Sequence, residues 1–123
     1  MVSRLLRRGG FLALGLAMLI AATPAALAHA ILVEASPAAG STVAGPDLVV
    51  RLRFNSRIDG ARSQLTLVRA DRQERAMTLD PQQAPERLTA KLTGIAPGAY
   101  RLRWQVLAAD GHITRGEVPF RVK

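Results

Sequence analysis

The hydrophobic positions of the chain recur with a period of two in four segments. Residues 48–54 place leucine, valine and phenylalanine at every second position, with arginine at two of the positions between them. This period is that of a β-strand with one buried face. The same alternation recurs in residues 88–93, 100–106 and 118–122. Together with three weaker candidates, at residues 30–34, 64–68 and 75–79, it predicts about seven short strands.

Turn signals separate the candidate strands, and no segment after residue 28 has the period of an amphipathic helix. The segment 92–100 resembles the tyrosine corner of Greek-key sandwiches, in which a tyrosine hydroxyl binds the backbone a few residues upstream. We therefore expect an all-β fold, a small Greek-key β-sandwich of the immunoglobulin-like kind. The predicted turns are Ser36-Pro37, Gly45-Pro46, Asp59-Gly60 and Asp110-Gly111, and the predicted loop is residues 80–86.

Residues 1–28 have the three parts of an export signal. A basic stretch with three arginines is followed by an apolar run of twelve residues and by the small-x-small sequence Ala-Leu-Ala at 26–28. Twelve residues are fewer than the roughly 20 needed to cross a bilayer, so we expect a cleaved helical signal peptide and not an anchor. Cleavage after Ala28 would leave one mature domain, residues 29–123, outside the cytosol and without membrane insertion.

The charge of the chain is basic, with 17 Lys+Arg against 9 Asp+Glu and a formal net charge of +8. A strongly basic chain suggests nucleic acid or an anionic membrane as a partner. Removing the leader leaves 14 basic against 9 acidic residues, a net charge of +5 over 95 residues. Export also separates the protein from genomic DNA. We therefore expect no nucleic-acid partner and interpret the arginines of the alternating strands as a solvated face.

The residues able to bind a metal ion are few. With no cysteine in the chain, disulfides, thiolate zinc sites, iron–sulfur clusters, blue-copper centres and cysteine nucleophiles are excluded. The two histidines are His29 and His112. If cleavage follows Ala28, His29 carries a free α-amine, whose ordinary pKa is about 7.7–8.0, beside its own imidazole. The amine nitrogen and the ring Nδ1 can then close a six-membered chelate on one ion.

The second candidate group is Asp110-Gly111-His112, which follows the strongest predicted strand. Residues two apart on an extended backbone point to the same side, so we expect the Asp110 carboxylate and the His112 imidazole to converge. One amine, two imidazoles and one carboxylate suit tetragonal Cu(II), which also has the highest affinity in the divalent series. We predict one Cu(II) ion bound by His29, Asp110 and His112, with zinc as an alternative for the same ligands. Taken alone, Asp-Gly-His is also an ordinary hairpin turn.

Several motifs recur in a characteristic order along the predicted mature chain. They are Ala-His-Ala at 28–30, Ser-Pro-Ala at 36–38, Leu-Arg-Phe-Asn at 52–55, Pro-Gly-Ala-Tyr at 97–100 and Ala-Asp-Gly-His at 109–112. In this order and spacing the chain resembles the CopC family of periplasmic copper-resistance proteins. The resemblance implies a cupredoxin-related Greek-key sandwich in the periplasm, a Cu(II) site on His29, Asp110 and His112, and an inner-membrane partner of the CopD type. We expect a monomer that is not an enzyme.

The chain departs from that family pattern in two ways. Met77 is the one methionine left after removal of the leader, so a thioether Cu(I) site is not expected and the chain resembles the Cu(II)-only branch. Relatives often carry a glutamate just after the strand that ends at Phe54, where this chain has Asn-Ser-Arg at 55–57. Glu34 and Asp59 are candidate replacements for that accessory carboxylate.

Two other functions fit parts of the sequence. An amino-terminal histidine with a second histidine also forms the copper brace of oxidative polysaccharide monooxygenases, but those enzymes use a flat aromatic surface, and this chain has one Trp, one Tyr and three Phe. The other alternative is an exported sandwich domain that binds protein and no metal. A copper carrier or buffer is the function that the sequence favours.

Overall fold

The computed structural model describes residues 29–123, which form a β-sandwich of eight strands and no helix. The predicted signal peptide lies outside the described residues. The strand count is eight where the sequence predicted about seven. The strands are β1 (Leu32–Ser36), β2 (Thr42–Val43), β3 (Leu48–Phe54), β4 (Ile58–Arg69), β5 (Glu74–Ala76), β6 (Arg87–Leu92), β7 (Gly98–Ala108) and β8 (Ile113–Val122).

Two sheets make up the sandwich, a three-stranded sheet in the order β1-β3-β6 and a five-stranded sheet in the order β2-β8-β7-β4-β5. All pairings are antiparallel except that of β2 with β8. The chain changes sheet between β3 and β4 and again on either side of β6. Connections of this kind are those of a Greek-key sandwich. The predicted fold class is therefore confirmed.

The core lies between the sheets and is built from the alternating positions of the sequence. Strand β3 buries every second residue, and β7 does the same from Tyr100 to Ala108. Phe54 meets the indole of Trp104 edge-on, with ring centroids 5.2 Å apart. Gly116 lies opposite Trp104 on β8, and a Cβ there would come within 2.4 Å of the indole. The glycine therefore leaves the space that this large side chain fills.

The tyrosine corner is present, since the Tyr100 hydroxyl donates to the carbonyl of Ala96. The arginines predicted to face solvent do so. Arg101 bonds Glu117 across β7 and β8 at 3.0 Å, and Arg103 bonds Glu74 at 2.7 Å. Exposed pairs of this kind contribute about 0–1 kcal/mol each, so the outer face adds little to stability.

The structure differs from the sequence prediction at the weak strands. Asp59-Gly60, predicted as a turn, lies inside β4, whose register against β7 shifts between Asp59 and Gln64. The irregular ladder allows glycine within a strand. Strand β5 ends at Ala76, and Leu79 forms an isolated bridge. The two-residue β2 was not predicted, because it is too short to show a period. Within residues 29–123 there is no helix long and apolar enough to span a membrane.

Candidate metal centre

Strands β7 and β8 form a hairpin whose tip holds Asp110, Gly111 and His112. The Ala108 N–H donates to the carbonyl of His112, and the Gly111 N–H donates to that of Ala108. Gly111 has φ = 87°, a conformation that glycine adopts without the steric cost of a side chain. The ladder below the tip pairs ten residues of each strand without a break, so the scaffold under the tip is regular.

The Asp110 carboxylate is bonded twice to His112. Its Oδ1 accepts from the His112 backbone N–H at 3.0 Å, and its Oδ2 lies 2.8 Å from the ring Nδ1. The predicted convergence is present, but the predicted reason is wrong. The two residues lie in a turn and not on extended backbone. The aspartate bonds the backbone two residues ahead, as this short side chain often does in turns.

The electrostatics of this turn favour the charged carboxylate. The hydrogen bond from the His112 backbone N–H lowers the pKa of Asp110 below its ordinary value of 3.8, and the side-chain bond to His112 acts in the same direction. An ionised carboxylate can only accept hydrogen bonds, so the neutral ring places its proton on Nδ1. The His112 Nε2 then keeps its lone pair free. That side chain is 65% exposed, so Nε2 is open to a metal ion.

His29 reaches the same place from the other end of the described chain. Its ring centroid lies 4.9 Å from that of His112, with the ring planes 54° apart. His29, Asp110 and His112 each offer a ligand atom, and these atoms all lie within 4.8 Å of one another. The three residues predicted from the sequence are therefore neighbours. We call these three residues the ligand cluster.

The segment that carries His29, residues 29–31, precedes β1 and is attached by side chains that sequence reasoning missed. The Thr114 hydroxyl donates to the carbonyl of Ala30 at 3.0 Å. The Ile31 N–H donates to Oδ1 of Asn55 at 2.7 Å, and the Asn55 N–H donates to the carbonyl of Ile31 at 2.9 Å. A threonine and an asparagine carry no local signal for such a role. We call residues 29–31 the N-terminal arm.

The two candidate accessory carboxylates are bound elsewhere. Glu34 Oε2 accepts from both Nε and Nη2 of Arg53, at 3.1 and 3.0 Å. The Asp59 carboxylate accepts from the backbone N–H of Arg62 at 3.3 Å. Within residues 29–123, neither carboxylate is part of the ligand cluster. The set that the structure brings together thus has one carboxylate and two imidazoles, to which processing at residue 29 would add an amine.

Fold and cluster together define a class of protein, a small Greek-key β-sandwich with an exposed histidine–carboxylate group at one end. Comparison with known families narrows this class. The CopC domain matches residues 32–123. The chain belongs to the CopC family, and this membership supports a copper-related function.

Solved structures and curated sequences agree with this assignment. CopC from Methylosinus trichosporium OB3b is 32% identical, with a TM-score of 0.70 over 77% of this chain and 94% of that chain. PcoC, a methionine-rich copper resistance protein from Escherichia coli, is 25% identical, with a TM-score of 0.63 over 78% of this chain and all of that chain. Protein YobA from Escherichia coli strain K12 is 29% identical over 105 residues, 82% of this chain and 84% of that protein.

Proposed function

We propose that the protein is an exported, periplasmic copper carrier or buffer that binds one Cu(II) ion through His29, Asp110 and His112. In the chain processed after Ala28, His29 supplies its α-amine and Nδ1, His112 supplies Nε2, and Asp110 supplies a carboxylate oxygen. The observation that carries the proposal is the convergence of the three side chains within 4.8 Å. The family resemblance extends the proposal to a CopD-type inner-membrane partner that exchanges copper with this domain.

The Asp110 carboxylate has two tasks in this proposal. It holds the His112 ring through Nδ1, the arrangement by which carboxylates commonly fix the tautomer of a metal-binding histidine. Each carboxylate oxygen has two lone pairs, so a carboxylate bonded to a ring N–H can still face an ion. Three nitrogens and one oxygen in a plane suit Cu(II), whereas Zn(II) prefers a tetrahedral set and has lower affinity for the same ligands.

Several observations favour a carrier over an oxygen-activating enzyme. The ligand cluster lies at an exposed hairpin tip, with the His112 side chain 65% exposed. Two clefts on the outer face of the five-stranded sheet are lined by other residues, and neither includes a member of the ligand cluster. Exposed ligands allow an ion to be loaded and released without movement of the core.

The proposal is tested on protein exported with its own leader, purified from the periplasm, with its first residue determined by mass spectrometry. Melting curves are recorded with and without Cu(II), and with Zn(II) in parallel. A native-state site at a free ion concentration of about 100 times Kd adds about 2.7 kcal/mol, or roughly 10–20 °C for a domain of this size. Electron paramagnetic resonance of the copper-loaded protein should show three coordinated nitrogens.

A His112→Asn variant serves as the control, since it keeps a polar side chain at the tip and removes one ring nitrogen. We expect a melting temperature close to that of the wild type without copper, a smaller increase with copper and one nitrogen fewer in the spectrum. An unchanged melting curve of the wild-type protein with Cu(II) would contradict the proposal and favour the interaction domain without metal. A start at another residue would remove the amine from the ligand set.

A further inference from the structure

The distance between His29 and His112 depends on a hydrogen bond one residue inward from the first and two residues inward from the second. Thr114 follows His112 on β8, and its hydroxyl donates to the carbonyl of Ala30, the residue after His29. We propose that Thr114 is a positioning residue, which holds the N-terminal arm against β8 so that His29 meets His112 before any ion binds. The metal-binding part of this proposal rests on the proposed function.

The two partners of this hydrogen bond differ in how firmly the rest of the fold holds them. Thr114 lies in β8, and its backbone pairs with Val106 in the central strand β7. Ala30 precedes β1, whose first paired residue is Leu32. The bond therefore transfers the rigidity of the hairpin to a segment outside the ladder. Fixing the backbone of one residue costs about 1–2 kcal/mol, and this cost would otherwise oppose binding of the ion.

Burial makes this bond sensitive to its donor. Ala30 is 1% exposed and belongs to the hydrophobic core, although its neighbours in the arm are more exposed. Water therefore has little access to its carbonyl. A buried acceptor that loses its donor is unfavourable, so the arm would shift to expose the carbonyl to water. Such a shift would carry His29 away from His112.

Asn55 holds the next residue of the arm through two hydrogen bonds with Ile31. One uses the side chain and the other the backbone of Asn55, so only the first depends on the residue type. Asn55 and Ile31 are both exposed, and water can replace a lost partner there. We therefore expect Asn55 to have a smaller effect than Thr114. The arm is attached firmly through Ala30 and more weakly through Ile31.

Thr114→Val is the direct test, because valine has the shape of threonine and lacks the hydroxyl donor. Thr114→Ser is the matched control, because serine keeps the donor. In metal-free protein beginning at His29, we expect nuclear Overhauser contacts between the two histidine rings in the wild type and in Thr114→Ser, and their loss in Thr114→Val. These contacts depend on ring proximity, so a change confined to stability would leave them in place below the melting temperature.

With copper, we expect Thr114→Val to weaken Cu(II) binding about tenfold in a chelator competition, with a faster dissociation rate. The resonance spectrum should show a larger fraction of ions without the two His29 nitrogens, and Thr114→Ser should behave as the wild type. Ring contacts and affinity that are unchanged in Thr114→Val would overturn the inference. Loss of both in Thr114→Ser as well would also overturn it, since the hydroxyl would not be the cause.

Two further comparisons keep the test decisive. If Thr114→Val does not fold, Asn55→Ala is compared with Asn55→Asp, which keeps the acceptor for the Ile31 N–H; loss of ring contacts in Asn55→Ala alone supports an arm held by side-chain bonds, and contacts kept in both contradict it. If the wild-type protein binds no Cu(II), the proposed function is wrong. The ring contacts of the metal-free variants still decide whether Thr114 positions the arm.

Discussion

The two histidines of the ligand cluster are held by regions of very different order. His112 ends a hairpin in which ten residues of β7 pair with ten of β8, above a core that includes Trp104. His29 lies in an arm outside the ladder, attached by one part-buried and two exposed hydrogen bonds. Regions of one protein differ in local stability, and segments with few buried contacts open first. We infer that the fold fixes one half of the ligand cluster and that the arm determines whether the other half is present.

The largest expected effect is on the core beneath the hairpin. Phe54 is 1% exposed and contacts Trp104, so Phe54→Ala should lower the free energy of unfolding by about 3–5 kcal/mol. Chemical denaturation measures this loss. Val33→Ala, at a position that is 47% exposed, should change stability by about 0.5 kcal/mol or less. Equal losses in the two variants would show that the core does not have the packing described.

A Gly-Ser extension before His29 should affect the arm alone. It converts the α-amine into a peptide nitrogen and removes the chelate, so Cu(II) affinity should fall by about 100-fold or more, equivalent to about 2.7 kcal/mol. Chelator competition measures the affinity, and the melting temperature without copper should not change. The same two residues added after Lys123 provide the control. Affinity that survives the first extension would exclude the amine as a ligand.

Substitution of Gly111 tests the turn separately from the ladder. Gly111→Ala forces a side chain into the left-handed region, at a cost of about 1–2 kcal/mol. Gly40→Ala is a close match, since Gly40 has φ = 76° and a Cβ at either glycine has no atom within 4 Å. Both variants should lose similar stability, but only Gly111→Ala should weaken Cu(II) binding. A copper effect of equal size in Gly40→Ala would attribute it to general destabilisation.

The smallest expected effect is the pH dependence of the tip. The folded protein lowers the pKa of Asp110 below 3.8, so the ionised carboxylate stabilises the fold at pH values above that ordinary value. This contribution is lost as the pH falls through the lowered pKa. In metal-free protein, calorimetry should show Asp110→Asn less stable than the wild type at neutral pH, with the difference disappearing in acid. A difference independent of pH would assign the effect to packing.

The sequence predicted the strands that bury one face and missed features that depend on tertiary contacts. Residues 48–54 form β3 with the predicted bounds, because alternation and burial agree there. The isolated bridge at Leu79 and the two-residue β2 depend on distant partners, and local patterns do not report these. Asp59-Gly60 has the composition of a turn, but pairing with β7 keeps it within β4.

The candidate site shows the same limit. Scarcity of histidine and the leader pointed to His29, Asp110 and His112, and these residues are neighbours in the structure. The geometry of the pair at the tip was predicted from extended backbone, whereas a turn produces it. The roles of Asn55 and Thr114 come from contacts between segments far apart in the chain, which no spacing rule could reveal.

The single tryptophan of the chain gives this protein an internal optical reporter of the core. Trp104 is buried against Phe54 and Gly116, six residues before the aspartate of the turn on the same hairpin. At about 3.3 Å per strand residue, its indole lies roughly 20 Å from the hairpin tip. Its emission maximum should therefore follow opening of the sandwich and stay constant while the arm detaches, so fluorescence separates global unfolding from local release.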